Sequence, residues 1–298
     1  MLLSQKAQAA LAGFVEAENL PSTYLQTVEQ WYIPLLQELE NRITGHQGVF
    51  VLGIHGCQGS GKSTLAALLV LLLQEVLNIH SINLSLDDFY LTRAERENLA
   101  LKVHPLLVTR GVPGTHDTGL AMQILSALKQ QQEIAIPRFN KAIDDRAVLS
   151  DWPRIVRPVE VIILEGWCLG VSPQKKADLQ QAVNSLEAEE DPAGVWRSYV
   201  NEKLATEYQE LFAMLDMLVM LKAPDFSNVI DWRLQQEEKL QAKQNEQGAS
   251  HIMNKEALVR FISHYERLTR HALQTVVATA DVVYELNADQ SIQTKLTK

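Results

Sequence analysis

Short unbroken apolar runs alternate along this chain with longer segments whose apolar residues recur three and four apart. Val49–Ile54, Ile79–Leu86, Val159–Leu164, Met214–Leu221 and Asp281–Leu286 read as strands. The unbroken Val159–Leu164 run suits a central parallel strand covered on both faces. Helical periodicity covers about 62–77, 93–101, 118–131, 226–246 and 254–279. Ahead of the first strand, Leu11, Phe14, Tyr24, Val28, Trp31, Leu35, Leu36 and Leu39 fall at helical spacing, with Pro21 as a break. Residues 172–198 are polar and acidic around Glu187–Asp191, and read as a surface excursion. Alternation of strand and helix predicts right-handed βαβ units and an α/β fold in three layers, with a mostly parallel central sheet. Residues 1–45 then form an N-terminal helical extension and 46–298 a single domain, in which a helix at about 226–250 is a candidate lid.

Chemistry enters at the end of the first strand. Gly56-Cys57-Gln58-Gly59-Ser60-Gly61-Lys62-Ser63-Thr64 matches Gly-x4-Gly-Lys-Ser between a strand and a Leu/Ala-rich helix, the context that a P-loop requires. Gly56, Gly59 and Gly61 are able to adopt positive φ and have no Cβ, so successive N–H groups can converge on a phosphate at the positive end of the helix. Lys62 supplies a point charge for the β- and γ-phosphates, Ser63 a hydroxyl for Mg²⁺, and Thr64 belongs to the phosphate shell. The fold expectation narrows to a P-loop NTPase, with ATP and Mg²⁺ as its ligands.

Composition removes several classes. Over 298 residues the formal charge is -9 and 46% of residues are hydrophobic, which provides for a core and argues against a nucleic-acid binder, since those carry a basic face. The first residues lack a signal-peptide apolar region, and Leu65–Leu73 is too short to span a bilayer that needs about 20 residues. A cytoplasmic protein without membrane association is expected. Cys57 and Cys168 are the only cysteines, and read as small buried thiols.

Ligands of open parallel sheets sit beyond the strand C-termini. Asp87, Asp88 and Glu165 end two of the strands, and a phosphoryl transfer to an alcohol needs a carboxylate to take the hydroxyl proton and others for the metal. Asp87, Glu165 and Ser63 are the candidate metal set, and Asp87 with Lys62 the candidate catalytic pair; Asp88 could equally be a helix-start residue. Arg138, Lys141 and Arg146, with Asp144 and Asp145 among them, could hold an anionic acceptor, because Arg presents a planar fork to carboxylate or phosphate. Arg110, His116 and Asp117, between Gly111 and Gly114, suggest a loop shaped for a small ligand. Arg233, in Asp231-Trp232-Arg233, lies where a lid could bring it over the γ-phosphate, with Lys239 further on. His264, Arg267, Arg270 and His271 read as a solvated basic face.

Taken together, Gly56–Thr64, Ser85-Leu-Asp-Asp-Phe-Tyr-Leu91, Arg110-Gly-Val-Pro-Gly-Thr-His-Asp117, Pro137-Arg-Phe-Asn-Lys141, Asp145-Arg-Ala147 and Leu164-Glu-Gly-Trp-Cys-Leu-Gly170 resemble the D-glycerate 3-kinase family. That family sits in the wider group containing phosphoribulokinase, uridine kinase and bacterial pantothenate kinase. The likeness spans about 50–285. It implies ATP-dependent phosphorylation of a small, hydroxylated, anionic metabolite, D-glycerate to 3-phosphoglycerate being the named case. By the same resemblance Asp87 is the base or metal partner, Glu165 the acid of the neighbouring strand, and Arg233 the lid arginine; Asp88, Tyr90, Arg110, His116, Arg138, Lys141 and Arg146 are expected on the acceptor side. Asn140, Ala142-Ile143 and Gln58 depart from the family pattern. Pantothenate, a nucleoside or a sugar-like alcohol stand as rival acceptors, and a nucleotide-gated regulatory module as the non-kinase alternative.

Overall fold

The computed structural model describes residues 3–245 and 255–298, and side chains for all of these except 236–245 and 255. Three helices come first: α1 (Gln5–Ala17), α2 (Tyr24–Thr27) and α3 (Ile33–Thr44), the last two joined by a π-helical turn over 28–32. Then follow β1 (Phe50–Gly56), α4 (Lys62–Leu77), β2 (Ser81–Ser85), α5 (Arg93–Lys102) and α6 (Thr118–Lys129). Four two-residue strands, β3 (Ile134–Ala135), β4 (Phe139–Asn140), β5 (Asp145–Arg146) and β6 (Arg154–Ile155), lead to β7 (Val161–Gly166). The remainder is α7 (Ser185–Glu190), α8 (Val195–Ala205), α9 (Glu207–Phe212), β8 (Met217–Lys222), α10 (Phe226–Asn245), α11 (Lys255–Thr275), β9 (Val282–Leu286) and β10 (Ile292–Thr297).

The main sheet runs β10-β9-β8-β1-β7-β2, parallel except for the antiparallel edge strand β10. Strand residues alternate between two cores. Phe50, Leu52 and Ile54 of β1 meet α1, α3 and α4 on one face. Val51 of β1, with Ile162 and Leu164 of β7, meets α6, α8 and α9 on the other. α11 serves both, giving Leu258 and Ile262 to the first core and Tyr265, Leu268 and Ala272 to the second. Burial on both faces explains why β1 and β7 read as continuous apolar runs, each large side chain contributing about 1.5–3 kcal/mol of transfer free energy.

Local sequence sets the helix starts that border the crevice. Thr92 and Glu95 form a reciprocal capping box on α5, and the Asp117 carboxylate accepts the Leu120 N–H at 2.9 Å to cap α6. Two expectations needed correction. Residues 172–198 are mostly exposed, as expected, but the acids at their centre are not all solvated: Glu187 is 0% and Asp191 1% exposed, because Arg267 donates to Glu187 at 2.7 and 2.6 Å and Arg197 to Asp191 at 3.0 Å. By the same pairing the supposed basic face of α11 is partly interior, His264 and Arg267 being buried. In the main sheet β10 was not expected from the sequence, and neither were the two-residue strands β3–β6. Residues 246–250 of the candidate lid lie outside the described residues, as does the Lys239 side chain.

Candidate active site

The phosphate loop joins β1, in the middle of the sheet, to α4. Gly59 and Gly61 have φ of +81° and +87°, the left-handed region that side chains resist. Gly56 is different: it does not take positive φ, and its restriction is spatial, since a Cβ there would lie 2.4 Å from Ser60 Oγ. The loop is braced from the far end of the chain. Trp232, 1% exposed, packs its Cβ 2.6 Å from where a Gly59 Cβ would be, and donates its Nε1–H to the Ala288 carbonyl at 2.7 Å. Gln290 donates to the Gly59 carbonyl at 2.8 Å. Gln58 is half-buried and Ser60 buried; Cys57 is buried as a free thiol, its pKa pushed up to about 12 by burial against the opposing charge of Lys62. Cys168 is also a free, buried thiol.

At the start of α4, Lys62 Nζ stands 3.8 Å from Glu165 Oε2. Ser63 donates its hydroxyl to Glu165 Oε1 at 3.0 Å, and Ser85, at the end of β2, donates to the same oxygen at 2.8 Å. Thr64 follows, half-buried, in the first turn. Glu165 is 4% exposed, and its Oε2 has no hydrogen-bond partner. A buried carboxylate oxygen left unbonded beside a serine hydroxyl and a lysine fits a divalent cation with hard oxygen ligands. Among the described residues no group of three or more His, Cys, Asp or Glu could hold an ion alone. Such a site needs phosphate oxygens and water to complete it, which is how Mg²⁺ is bound in nucleotide sites.

Asp87 lies beyond β2, across from the phosphate loop. Tyr90 donates its hydroxyl to Oδ1 at 2.8 Å and Lys141 its ammonium to Oδ2 at 2.7 Å. Burial opposes ionisation of Asp87, but Lys141 and Lys62 outweigh it and hold the carboxyl well below the usual range. Asp88 behaves oppously to its neighbour: burial raises its pKa, against the Phe139 N–H at 3.1 Å and Arg138 at 3.0 Å. Of the two readings open for Asp88, the helix-start role is absent; it ties the 137–147 loop to the end of β2.

The remaining acceptor-side residues surround this pair. Arg110 reaches Asp144 and lies 5.4 Å over the Phe139 ring. Arg146 donates to the Tyr90 carbonyl at 2.9 Å and to Asp117 at 3.4 Å. His116 is 3% exposed, stacked on Tyr90 at 4.6 Å, with Nδ1 2.6 Å from the Tyr208 hydroxyl. Burial lowers its pKa to about 4, so it is neutral at pH 7. His116 is thus engaged as a hydrogen bonder inside the fold. Arg233 is half-buried in α10, near enough to Tyr265 of α11 for its charge to act on that phenol.

An open cleft of about 410 Å³ lies elsewhere on this loop, lined by Leu91, Asn98, Lys102, His116, Asp117 and Tyr199 among others. Lys62, Ser63, Asp87 and Glu165 do not line it, so it is not where phosphate chemistry can occur. Sequence reasoning overlooked Ser85, Tyr265 and Gln290. Ser85, two residues before Asp87 at a strand end, carried a signal; Gln290 carried none, 231 residues from its partner.

Three comparisons place this geometry among known proteins. The phosphoribulokinase/uridine kinase family model matches residues 51–183. An uncharacterized kinase of Schizosaccharomyces pombe is 35% identical over 240 residues, covering 78% of this chain and 83% of that protein. The chain belongs to the phosphoribulokinase/uridine kinase family. It is therefore an ATP-dependent P-loop kinase. Within the family, the chloroplastic D-glycerate 3-kinase of Arabidopsis thaliana is 34% identical over 268 residues, 83% of this chain but 55% of that protein. The fold matches the D-glycerate 3-kinase of Cryptococcus neoformans with a TM-score of 0.72 at 24% identity, over 89% of this chain and 99% of the other. No helix among the described residues is long and apolar enough to cross a membrane.

Proposed function

We propose that the protein transfers the γ-phosphoryl group of ATP to a hydroxyl of a small anionic metabolite, D-glycerate being the leading acceptor. One observation carries this reading. An ionised carboxylate, Asp87, stands at a strand end across from the phosphate loop, with Lys141 bound to it and Arg138 bound to its neighbour Asp88. A nucleotide switch has no need of such a group.

In this mechanism the loop N–H groups and Lys62 hold the β- and γ-phosphates at the N-terminus of α4. Ser63, Glu165 and Asp87 are the residues that would hold Mg²⁺, which when bound offsets phosphate charge. The acceptor oxygen attacks the γ-phosphorus, the bond to the bridging oxygen breaks, and ADP carries the electron pair away. Asp87 accepts the hydroxyl proton and passes it to solvent. A carboxylate held so far below its usual range is a weak base, but a loose phosphoryl transition state asks more for placement than for basicity. Arg138, Lys141 and Arg146 are cations an acceptor carboxylate can engage by exchange with Asp88, Asp87 and Asp117. Arg233 supplies positive charge as negative charge moves onto ADP. The 34% identity to the Arabidopsis D-glycerate 3-kinase supports the acceptor.

The test is ADP release from MgATP over a panel containing D-glycerate, pantothenate, nucleosides and phosphorylated sugars. Large stimulation by D-glycerate alone supports the reading. Preference for another alcohol replaces the acceptor and keeps the mechanism, whereas bound ATP with no stimulation by any alcohol favours a regulatory module.

A further inference from the structure

Tyr265 of α11 is 2% exposed, lies outside every nucleotide motif, and touches two of the segments that make the site. Its hydroxyl donates to the Arg110 carbonyl at 3.0 Å. A Cβ on Gly111 would lie 1.9 Å from that oxygen, so the loop and the phenol are in close contact. The ring meets Trp167 edge-on at 4.9 Å, and Trp167 donates to the Gly111 carbonyl at 2.8 Å, which holds both partners to the same turn. The same loop is bonded to the segment that carries Asp87 and Tyr90: the Leu91 N–H donates to the Thr115 carbonyl at 2.9 Å and the Asp117 N–H to the Phe89 carbonyl at 2.7 Å.

Tyr265 thus acts on Asp87 through the loop: a turn held at Arg110 by the phenol and at Thr115 and Asp117 by residues 89–91 fixes Tyr90, whose hydroxyl donates to Asp87 at 2.8 Å.

We propose that Tyr265 is a positioning residue for phosphoryl transfer, pinning the loop around Arg110 and Gly111 to α11 and, through that loop's bonds to residues 89–91, holding Tyr90 against Asp87. This rests on the phosphotransferase reading. It assigns α11, the helix that follows the candidate lid, a direct hold on the acceptor side of the site.

The test compares Tyr265→Phe, Tyr90→Phe and the double variant in the full chain, each with the alcohol that stimulates the parent. Phenylalanine keeps the ring contacts and removes only the hydroxyl. Tyr265→Phe is expected to lower kcat by about 10- to 100-fold, the scale of a small misplacement of reacting groups, with KM for MgATP within about twofold. The double variant should be no slower than the slower single one, since both act through one chain of hydrogen bonds. An unchanged kcat, a rise in KM for MgATP in place of the loss in kcat, or losses that multiply in the double variant would each overturn the proposal. Amide hydrogen exchange supplies an arm that needs no acceptor: residues 111–117 should exchange faster in Tyr265→Phe, by about tenfold, while β1 is unaffected. Equal exchange at 111–117 overturns the tether. Failure of every alcohol to stimulate the parent instead sinks the phosphotransferase reading, and the exchange result still decides the tether.

Discussion

Replacing Gly59 with alanine tests whether the root of α10 supports the phosphate loop. Two costs are separable. A side chain at φ +81° costs about 1–2 kcal/mol from the left-handed backbone alone. The new Cβ would also lie 2.6 Å from Trp232 Cβ and 3.4 Å from the Trp232 carbonyl carbon. Those atoms belong to the helix stem and cannot rotate away, so loop or helix must shift, at about 1–3 kcal/mol. The sum is roughly 2–5 kcal/mol. Gly61→Ala is the control, because φ there is +87° while nothing lies within 4 Å of its Cβ. It should lose only the first term, about 1–2 kcal/mol. Urea unfolding of the ligand-free proteins measures both, and MgATP titration of Gly59→Ala should show affinity at least about tenfold weaker if the loop gives way, since 1.4 kcal/mol is a factor of ten. Trp232→Ala should not rescue Gly59→Ala, as it keeps the offending Cβ. Equal destabilisation by the two glycine variants, within about 0.5 kcal/mol, would refute the packing argument.

Asp87→Asn should abolish most acceptor-stimulated turnover while leaving the urea midpoint near the parent value; near-parent kcat would remove Asp87 from the base role. Glu187→Gln leaves the buried Arg267 guanidinium without its counter-charge and should cost about 3–5 kcal/mol in urea unfolding, although the residue is remote from the phosphate loop. Acid sensitivity follows from His55 and His116, both held by burial to about 4. Because the unfolded chain binds their protons first, this stability is whole above about pH 6.5 and falls away as pH drops towards 4, by roughly 2–4 kcal/mol for each histidine. Urea midpoints that do not fall between pH 7 and pH 5 would contradict it.

How far the sequence revealed this depended on the range of the interactions. β1 and β7 were legible because burial on both faces leaves an apolar run, and Asp87 and Glu165 because they directly follow such runs. β10 was not, since Ile292-Gln-Thr-Lys-Leu-Thr297 is an edge strand with only two apolar residues, Ile292 and Leu296, and so lacks the alternation that marks a strand. Charge misled in residues 172–198, where Glu187 and Asp191 looked solvated; their partners Arg267 and Arg197 lie 80 and 6 residues away. The same limit applies at the site. Spacing located the phosphate loop, yet nothing local to Gly59 foretold Trp232 or Gln290, and nothing local to Arg110 foretold Tyr265. The ion pairs from the 137–147 loop to other segments also altered the picture of Arg138, Lys141 and Arg146, which were expected to face an anionic acceptor and hold Asp88, Asp87 and Asp117.

The strand order has a consequence for biosynthesis. β1 leaves the ribosome early but pairs on either side with β7, beginning at Val161, and β8, beginning at Met217. At about 5–20 residues per second, the strand bearing the phosphate loop waits roughly 8–30 s before its second neighbour has been made. Until β7 has been made Val51, Leu52 and Ile54 have no strand to pair with, and until β8 has been made one edge of β1 stays open, so the nascent chain offers a sticky apolar ribbon next to the nucleotide loop. Nucleotide cannot assist folding until most of the chain has emerged. Slow translation before Met217 should therefore lengthen exposure to chaperones and aggregation, whereas slowing after Lys222 should matter little to β1.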